Sequence, residues 1–352
     1  MARERIVSGQ EQPEDSGAGG GGEVLNPALR PKRLQEYIGQ VELIERVRIA
    51  VEAAKRRGEP MEHVLLSGPP GLGKTTLATI IADEMNGTPP KITSGPALVK
   101  PGDLVGILTN LKRGDVLFID EIHRMSHIVE EYLYPAMENF SIDVVMDSGA
   151  HAQVMNFALQ PFTLIGATTR TGLISGPMRS RFGIAHHLQY YSPADLFKIV
   201  TRSADLLHLP AEKDALMQIA ARSRGTPRVA NRLLRRVRDF AVVRSHGMLN
   251  LEVLEQALAL EGIDALGLDA LDRRFLTIMA RDYEGGPVGI DAMAATMGEE
   301  RDTLEDVVEP FLLQSGFIRR TPKGRQMTLA AYQHLGLDMP PSRPEGADSS
   351  LF

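Results

Sequence analysis

Three successive units are what the sequence predicts: an α/β unit built on a parallel sheet, a small all-helical unit, and a third unit of helices closed by a two-stranded wing. Three observations predict this. Short, continuously apolar strands alternate with helical patterns as far as Thr169, which marks a parallel sheet covered on both faces. Between 194 and 262 only helical periodicity remains. Beyond a linker rich in Gly and Asp, Gly262 to Asp269, helices give way to a hairpin pattern. With 352 residues, and domains of roughly 100–200 residues, the chain is too long for one small fold.

The elements follow in order. Residues 8–23 are polar, glycine-rich and aperiodic, so ordering them would not be repaid by burial, and residues 1–24 are expected to be a flexible tail. From Tyr37 to Arg57 the spacing of Ile38, Val41, Ile44, Val47, Val51 and Ala54 predicts a helix ended by Gly58 and Pro60. A buried strand, His63 to Leu66, runs into SGPPGLGKTT and a helix carrying Leu77, Ile80, Ile81 and Met85, closed by Asn86-Gly87. A second strand, Asp115–Ile119, ends in Asp120-Glu121, and a third, Phe162–Ala167, ends in Thr168-Thr169-Arg170. Tyr191-Ser192-Pro193 breaks the alternation. Helices are expected at Ala194–Leu206, Lys213–Ala221, Pro227–Arg244 and Asn250–Leu260, then at Ala270–Asp282, Ile290–Met297 and Glu300–Gln314. A hairpin, Phe317–Thr321 and Arg325–Leu329, turns at Pro322-Lys323-Gly324. The domains so defined are 25–191, 192–262 and 265–338, with a linker-like tail at 339–352.

Composition removes several classes of function. Cysteine is absent, which rules out disulfides, thiol catalysis and cysteine-ligated metal. No apolar run approaches the ~18–20 residues of a membrane span, and the first residues lack the apolar core of a secretory signal, so a cytoplasmic protein is expected. A net charge of −6 gives no global attraction to nucleic acid; any such contact must be local.

Gly68-Pro-Pro-Gly-Leu-Gly73-Lys74-Thr75 satisfies G-x-x-x-x-G-K-[ST] between a strand and a helix. Loop N–H groups and the helix N-terminus point at phosphates there, with Lys74 reaching the β and γ phosphates and Thr75 ligating Mg²⁺. A bare glycine turn is the plain alternative, and the strand-loop-helix context argues against it. Asp120 is placed to hold Mg²⁺ and Glu121 to polarise an attacking water, where two carboxylates could otherwise be a polar strand cap. His123 and His127, spaced i and i+4, offer a metal pair on paper, yet the Glu of H-E-x-x-H and a third ligand are missing.

The polar residues farther along the chain gain meaning from their order: Thr168-Thr169 at a strand end, then Arg181-Phe182-Gly183, then Gly225-Thr-Pro-Arg228 opening a helix. This series resembles an AAA+ ATPase, whose subunits assemble as rings with ATP between neighbours. The resemblance implies that Thr169 senses the γ-phosphate, that Arg181 is a finger reaching into the neighbour's site, and that Arg228 couples phosphate to the helical domain. A lone Arg is ordinarily a solvated surface residue, and most of the eight arginines within 222–244 are read that way; the ordered set lifts these two above that background.

The segments LRPKRLQEYIGQ (29–40), HVLLSGPPGLGKTTLA (63–78), VLFIDEIHR (116–124), LIGATTRTGLISGPMRSRFGI (164–184), RGTPRVANRLLRRVRDFA (224–241) and GFIRRTPKGR (316–325) are similar to the RuvB family, bacterial motors of Holliday-junction branch migration. The resemblance implies a P-loop AAA+ domain, a helical lid and a winged-helix head, which agrees with the division into three units. It implies an ATP- and Mg²⁺-dependent hexameric ring on double-stranded DNA at four-way junctions, working with a RuvA-type junction-binding protein, and it allows a RuvC-type resolvase as a further partner. By the same resemblance Leu29, Arg30 and Tyr191, with Glu138-Asn139-Phe140, flank the adenine end of the nucleotide, while Gly71, Lys74, Thr75 and Thr76 hold phosphates. For Leu29 and Tyr191, hinge packing stays open as the other reading. The stretch 142–159 fits the family's partner-docking hairpin, although Val144, Val145, Met146, Val154 and Met155 could equally be core.

The third unit is not basic: 9 Arg and Lys against 12 Asp and Glu over 265–343. Its would-be reading helix, around Glu299 to Glu309, is acidic and would repel phosphates, so base readout is not expected. Positive charge gathers in the wing, Arg319 to Arg325, where Arg320 and Arg325 are expected to grip DNA backbone without reading sequence. Three rivals stand beside a translocating motor. A clamp-loader-like switch would load another ring, a nucleotide-regulated scaffold would not need Glu121, and an unfoldase would show an exposed aromatic pore loop.

Overall fold

The computed structural model of the chain describes residues 27–145 and 154–338. The expected tails at 1–24 and 339–352 and the hairpin tip at 146–151 lie outside the described residues. Two 3₁₀ turns, Pro27–Leu29 and Leu34–Glu36, lead into α1 (Val41–Arg57). The sequence pattern started this helix too early. Gly39 and Gln40 take left-handed φ of 77° and 51°, and a Cβ on Gly39 would stand 2.7 Å from the Tyr191 ring, so the chain must turn before helix can begin. Once begun, α1 buries Leu43, Val47, Val51 and Ala54.

The α/β unit continues with β1 (Val64–Ser67), α2 (Lys74–Asn86), β2 (Lys91–Ser94), α3 (Pro101–Thr109), β3 (Val116–Asp120), α4 (His127–Asn139), the hairpin β4 (Ser141–Val145) and β5 (Val154–Ala158), β6 (Thr163–Thr168), α5 (Gly176–Ser180) and β7 (Ile184–His187). Five strands form a parallel sheet in the order β2-β3-β6-β1-β7. Alternate side chains serve opposite faces: Val64, Leu66, Phe118, Ile165 and Ala167 pack with α1 and α2, while Leu65, Leu117, Ile119 and Leu164 pack with α3 and α4. The edge strands β2 and β7 have no counterpart in the sequence reading, because Lys-Ile-Thr-Ser and Ile-Ala-His-His carry no apolar run and are only partly buried. Register aligns Ser67 with Thr168 and Ser94 with Asp120. The phosphate loop, Asp120-Glu121 and Thr168-Thr169 therefore leave the sheet at one edge, the carboxyl ends of the strands, where open parallel sheets bind ligands.

The helical unit comprises α6 (Pro193–Leu206), α7 (Lys213–Ala221), α8 (Pro227–Arg244) and α9 (Leu251–Leu260). Ser192, Thr226 and Asn250 cap three of these helices through their side-chain oxygens. Leu196, Val200, Ile219, Leu233 and Leu254 share one core with α1 and α2, which seats this unit against the nucleotide edge of the sheet.

The third unit has its own core of Phe275, Leu276, Met279, Leu304 and Leu312. It is built from α10 (Ala270–Asp282), α11 (Ile290–Met297), α12 (Arg301–Thr303), a π-turn at Leu304–Val308, α13 (Glu309–Gln314), the wing strands β8 (Ile318–Thr321) and β9 (Gly324–Met327), and α14 (Leu329–Leu335). The π-turn runs directly into α13, whose second residue, Pro310, has no N–H for the α-helical ladder. The second wing strand stops at Met327 rather than Leu329, and the chain returns to helix.

Candidate functional site

A cavity of about 340 Å³ opens at the carboxyl edge of the sheet, walled by the phosphate loop, the segment after Pro27, β3, β6, α6 and the start of α8. Of the residues the sequence singled out, it brings together Leu29, Arg30, Gly71, Lys74, Thr75, Thr76, Asp120, Glu121, Thr169, Tyr191 and Arg228. Gly73 caps α2 with φ 101°, and a Cβ there would lie 2.7 Å from the Tyr37 hydroxyl; the loop can hug the helix N-terminus only as glycine.

Lys74 is 7% exposed, and its Nζ donates to the carbonyls of Gly68 at 2.7 Å and Pro69 at 3.0 Å. Burial pushes its ammonium down to about 8, against the pull of Asp120 and Glu121. A buried cation resting on carbonyls is stabilised further by an arriving polyanion. Asp120 accepts the Glu121 N–H at 3.0 Å. Glu121 takes a left-handed φ of 47°, and its Oε2 accepts the Thr169 hydroxyl at 3.2 Å. Burial, then the neighbouring Asp120 charge, raises the Glu121 carboxyl above the ordinary range. Thr75 and Asp120 give the cavity a hydroxyl and a carboxylate oxygen, hard donors of the kind Mg²⁺ takes.

His123, considered in the sequence only as a metal ligand, lies beside the strand-end carboxylate. Its Nδ1 lies 2.9 Å from the Thr168 hydroxyl and 3.3 Å from Glu121 Oε2, and burial, with the Arg170 and Arg124 charges, holds its imidazole below the usual range. His127 instead faces Glu131 at 3.4 Å on the exposed side of α4, so the two rings do not form a metal pair. Among the described residues no group of three His, Cys, Asp or Glu side chains is arranged to hold a metal.

At the other end of the cavity Leu29 is buried, with its carbonyl accepting from Arg202 at 2.9 Å. The Tyr191 hydroxyl lies 3.2 Å from both the Tyr37 hydroxyl and the Leu72 carbonyl, with its one proton within reach of either. Burial raises both phenols, Tyr37 to about 12, so they remain neutral donors. Tyr37, Ile199, Arg202 and Asn231 line the same space; they stand alone in their helices or turns, and no motif marked them.

Four expected nucleotide residues are not in this cavity. Arg181 pairs with Glu138 at 3.0 Å, donates to the Pro177 carbonyl at 2.7 Å, and lies 4.1 Å above the Tyr134 ring. Phe140 ends α4 and packs edge-on against Phe162, ring centroids 5.9 Å apart. The adenine-end position expected for Glu138-Asn139-Phe140 thus fails within one chain: α4 carries the stretch to the surface where Arg181 sits.

The wing also departs from expectation. Glu309 is fully buried, and it accepts from Arg320 at 2.7 Å and from Arg325 at 2.9 and 3.0 Å. Burial pushes its carboxyl up, but the hydrogen bonds from Arg320 and Arg325 outweigh it and hold the group below the ordinary range. Arg325 is therefore turned inward as the counter-ion of a buried carboxylate rather than offered to phosphate, and Arg320, though more exposed, shares that partner. The exposed cations of the wing that have no carboxylate partner are Arg319, which meets the neutral Gln326 at 2.9 Å, and Lys323 at the turn.

In the hairpin β4–β5, Ile142 is buried core, as is Leu159 just after β5, whereas Met155 and Phe157 stand 46% and 38% exposed. No helix among the described residues is long and apolar enough to cross a membrane.

A phosphate loop, paired strand-end carboxylates, a polar residue closing the next strand and an arginine opening a helix of a lid unit define a P-loop ATPase of the AAA+ class. The chain belongs to the RuvB family. Its residues 29–188 match the family model of the Holliday junction DNA helicase RuvB P-loop domain, 191–264 that of the RuvB AAA lid domain, and 265–336 that of the RuvB C-terminal winged helix domain. The structure is similar to that of Thermotoga maritima RuvB, described as a Holliday junction branch migration motor, at 51% identity and TM-score 0.81, covering 89% of this chain and 100% of that one. A lysine-to-arginine mutant of the same Thermotoga protein matches at 51% identity and TM-score 0.82, covering 89% of this chain and 99% of that one.

Proposed function

We propose that the chain is an ATP-driven motor that forms a hexameric ring on duplex DNA and drives branch migration of Holliday junctions in recombination and repair, in the cytoplasm. The units at 25–191, 192–262 and 265–338 are its ATPase domain, lid and DNA-facing head. One observation supports the ring above all. The cavity collects loop, carboxylates, Thr169 and Arg228, while Arg181 lies outside it in company with Glu138. An arginine supplied to a phosphoryl-transfer site by a neighbour is worth ~10³–10⁵ in rate, and a ring gives every cavity such a neighbour. Arg181 and Glu138-Asn139-Phe140 then form the face presented to the next subunit's nucleotide.

Lys74 and the loop N–H groups bind the β and γ phosphates, Thr75 and Asp120 would hold Mg²⁺, and Glu121 polarises the attacking water. When bound, Mg²⁺ neutralises charge on the phosphate oxygens. Thr169 and Arg228 report the γ-phosphate to the sheet and the lid. Leu29, Arg30 and Tyr191 border the adenine end. The exposed Met155 and Phe157 of the hairpin provide an apolar surface for a RuvA-type partner.

The test is ATP-dependent dissociation of a synthetic four-way junction by the purified protein with a RuvA-type partner, and with Glu121→Gln as control. The expected result is junction movement by the wild type and none by the variant. DNA-stimulated hydrolysis without junction movement would replace the motor with a ring-loading switch.

A further inference from the structure

Arg170 has no place in the hydrolytic chemistry, although it directly follows the sensor Thr169. Its guanidinium leaves the ATPase unit and meets an acidic turn of the head: Asp306 at 2.8 Å, Asp302 at 3.4 Å and Glu305 at 3.6 Å. Asp306 lies 136 residues away in sequence. Asp302, Glu305 and Asp306 have the i, i+3, i+4 spacing that puts helical side chains on one face, and the turn bearing the last two is the π-turn before Pro310. Local π geometry frequently marks functional positions. The acidic helix that could not serve DNA therefore has an occupant for its charge inside the molecule.

Two short routes join this contact to the water-polarising carboxylate. The Thr169 hydroxyl donates to Glu121 Oε2 at 3.2 Å. The Arg170 N–H donates to the Thr168 hydroxyl at 3.0 Å, which lies 2.9 Å from His123, itself 3.3 Å from the same Oε2. On the other side, Glu305 turns one oxygen to Arg170 and the other to Arg325 of the wing, 3.5 Å away. A cleft of about 860 Å³ runs alongside, bordered by Glu121, Thr169, Arg170, Asp302 and Asp306, so the link crosses a gap and is not buried in a packed interface.

We propose that Arg170 is a positioning residue, a latch through which the head restrains Glu121. With the latch closed, Arg170 is anchored by three carboxylates, and the Thr169 hydroxyl is spent on Glu121. Opening it, by displacement of the head, frees Thr169 to turn toward phosphate and releases Oε2 for water. Each exposed ion pair is worth little alone; one guanidinium shared by three carboxylates has a defined geometry that a single pair lacks. The latch rests on the ATPase activity alone. Its response to DNA rests additionally on the reading of the chain as a DNA motor.

The experiment uses the full-length protein with Arg170→Ala, with Asp306→Asn, and with the exchanged pair Arg170→Asp plus Asp306→Arg. Steady-state ATP hydrolysis without DNA is expected to show kcat raised about threefold to tenfold in each single variant, with KM unchanged, the pattern of a change felt after binding. The exchanged pair should bring kcat back toward wild type, which a merely structural role for either residue would not produce. Equal or lower kcat in both single variants, or an exchanged pair no nearer wild type than the singles, overturns the latch. Adding linear duplex DNA separates the two readings. Stimulation of the wild type that shrinks in the single variants ties the latch to DNA, while raised basal kcat in the variants with no stimulation of the wild type keeps the latch and removes the DNA-driven motor.

Discussion

The nucleotide cleft and the wing both gather cations, and they use them in opposite ways. In the cleft, Lys74 rests on two carbonyls and Arg228 stands exposed in the cavity wall. Such groups can take up phosphate by exchanging weak partners for strong ones. In the wing, Arg320 and Arg325 converge on Glu309, a carboxylate with no exposure. Withdrawing them would leave an uncompensated buried charge, which is strongly unfavourable. A cation near the tip of a turn is thus available or unavailable according to what lies beneath it. Charge counts along the chain do not report that.

The largest expected effect would break the cleft's side of this contrast. Lys74→Ala removes the cation from the cavity, and Arg181→Ala leaves the cavity intact but removes the arginine outside it. Both are expected to abolish hydrolysis in pure form, Arg181→Ala by ~10³-fold or more, the scale of an arginine supplied in trans. A mixture of the two should regain activity, because some sites then combine an intact Lys74 with a neighbour's intact Arg181. Phosphate release measured on each variant and on the equimolar mixture checks this. A mixture no more active than its components would mean that Arg181 does not act between subunits.

Legibility in the sequence divides along the same line. Central strands, the phosphate loop and the four lid helices were readable because their signals are local: an apolar run, a glycine spacing, a cap. The cleft residues came out in order because Asp120-Glu121, Thr169 and Arg228 each sit at the end of an element that the pattern already located. The edge strands β2 and β7 lacked the apolar run, and the start of α1 was set by Tyr191, far along the chain, crowding Gly39. His123 was weighed only against a metal pair with His127, since spacing says nothing about which of two rings turns inward. Arg325 looked free because its partner, Glu309, lies on a helix that was read only as acidic. Long-range electrostatic pairing is the property that one sequence leaves hidden.

An intermediate effect would sharpen the wing's side. Glu309→Ala leaves Arg325, 16% exposed, with only the more distant Glu305 at 3.5 Å, and breaking a buried pair costs about 3–5 kcal/mol. Denaturant unfolding should show the loss in the head's transition, with Glu309→Gln recovering part of it through its remaining hydrogen-bond acceptor. An unchanged midpoint for Glu309→Ala would mean the pair contributes nothing. Because the folded carboxyl titrates below its ordinary value of 4.5, its contribution is complete above that pH and is lost as pH falls through the lower, folded value. Acid titration of the wild type should therefore destabilise the head in that window, and Glu309→Gln should remove the dependence.

The smallest effect bears on which cations touch DNA. If Arg320 and Arg325 belong to Glu309, duplex binding by the wing falls to Arg319 and Lys323, which have no buried partner. Arg319→Ala and Lys323→Ala should each weaken binding equally for unrelated sequences, since backbone contacts carry no base information. Each should also flatten the slope of log affinity against log salt by about 0.9, the loss of one phosphate contact. Fluorescence anisotropy across a salt series reads both quantities on the folded protein. Arg325→Ala should leave the slope as it is and lower the unfolding midpoint instead. Should Arg325→Ala flatten the slope while Arg319→Ala and Lys323→Ala do not, DNA must outcompete a buried carboxylate for its counter-ion. The contrast between cleft and wing would then be a property of the unbound protein alone.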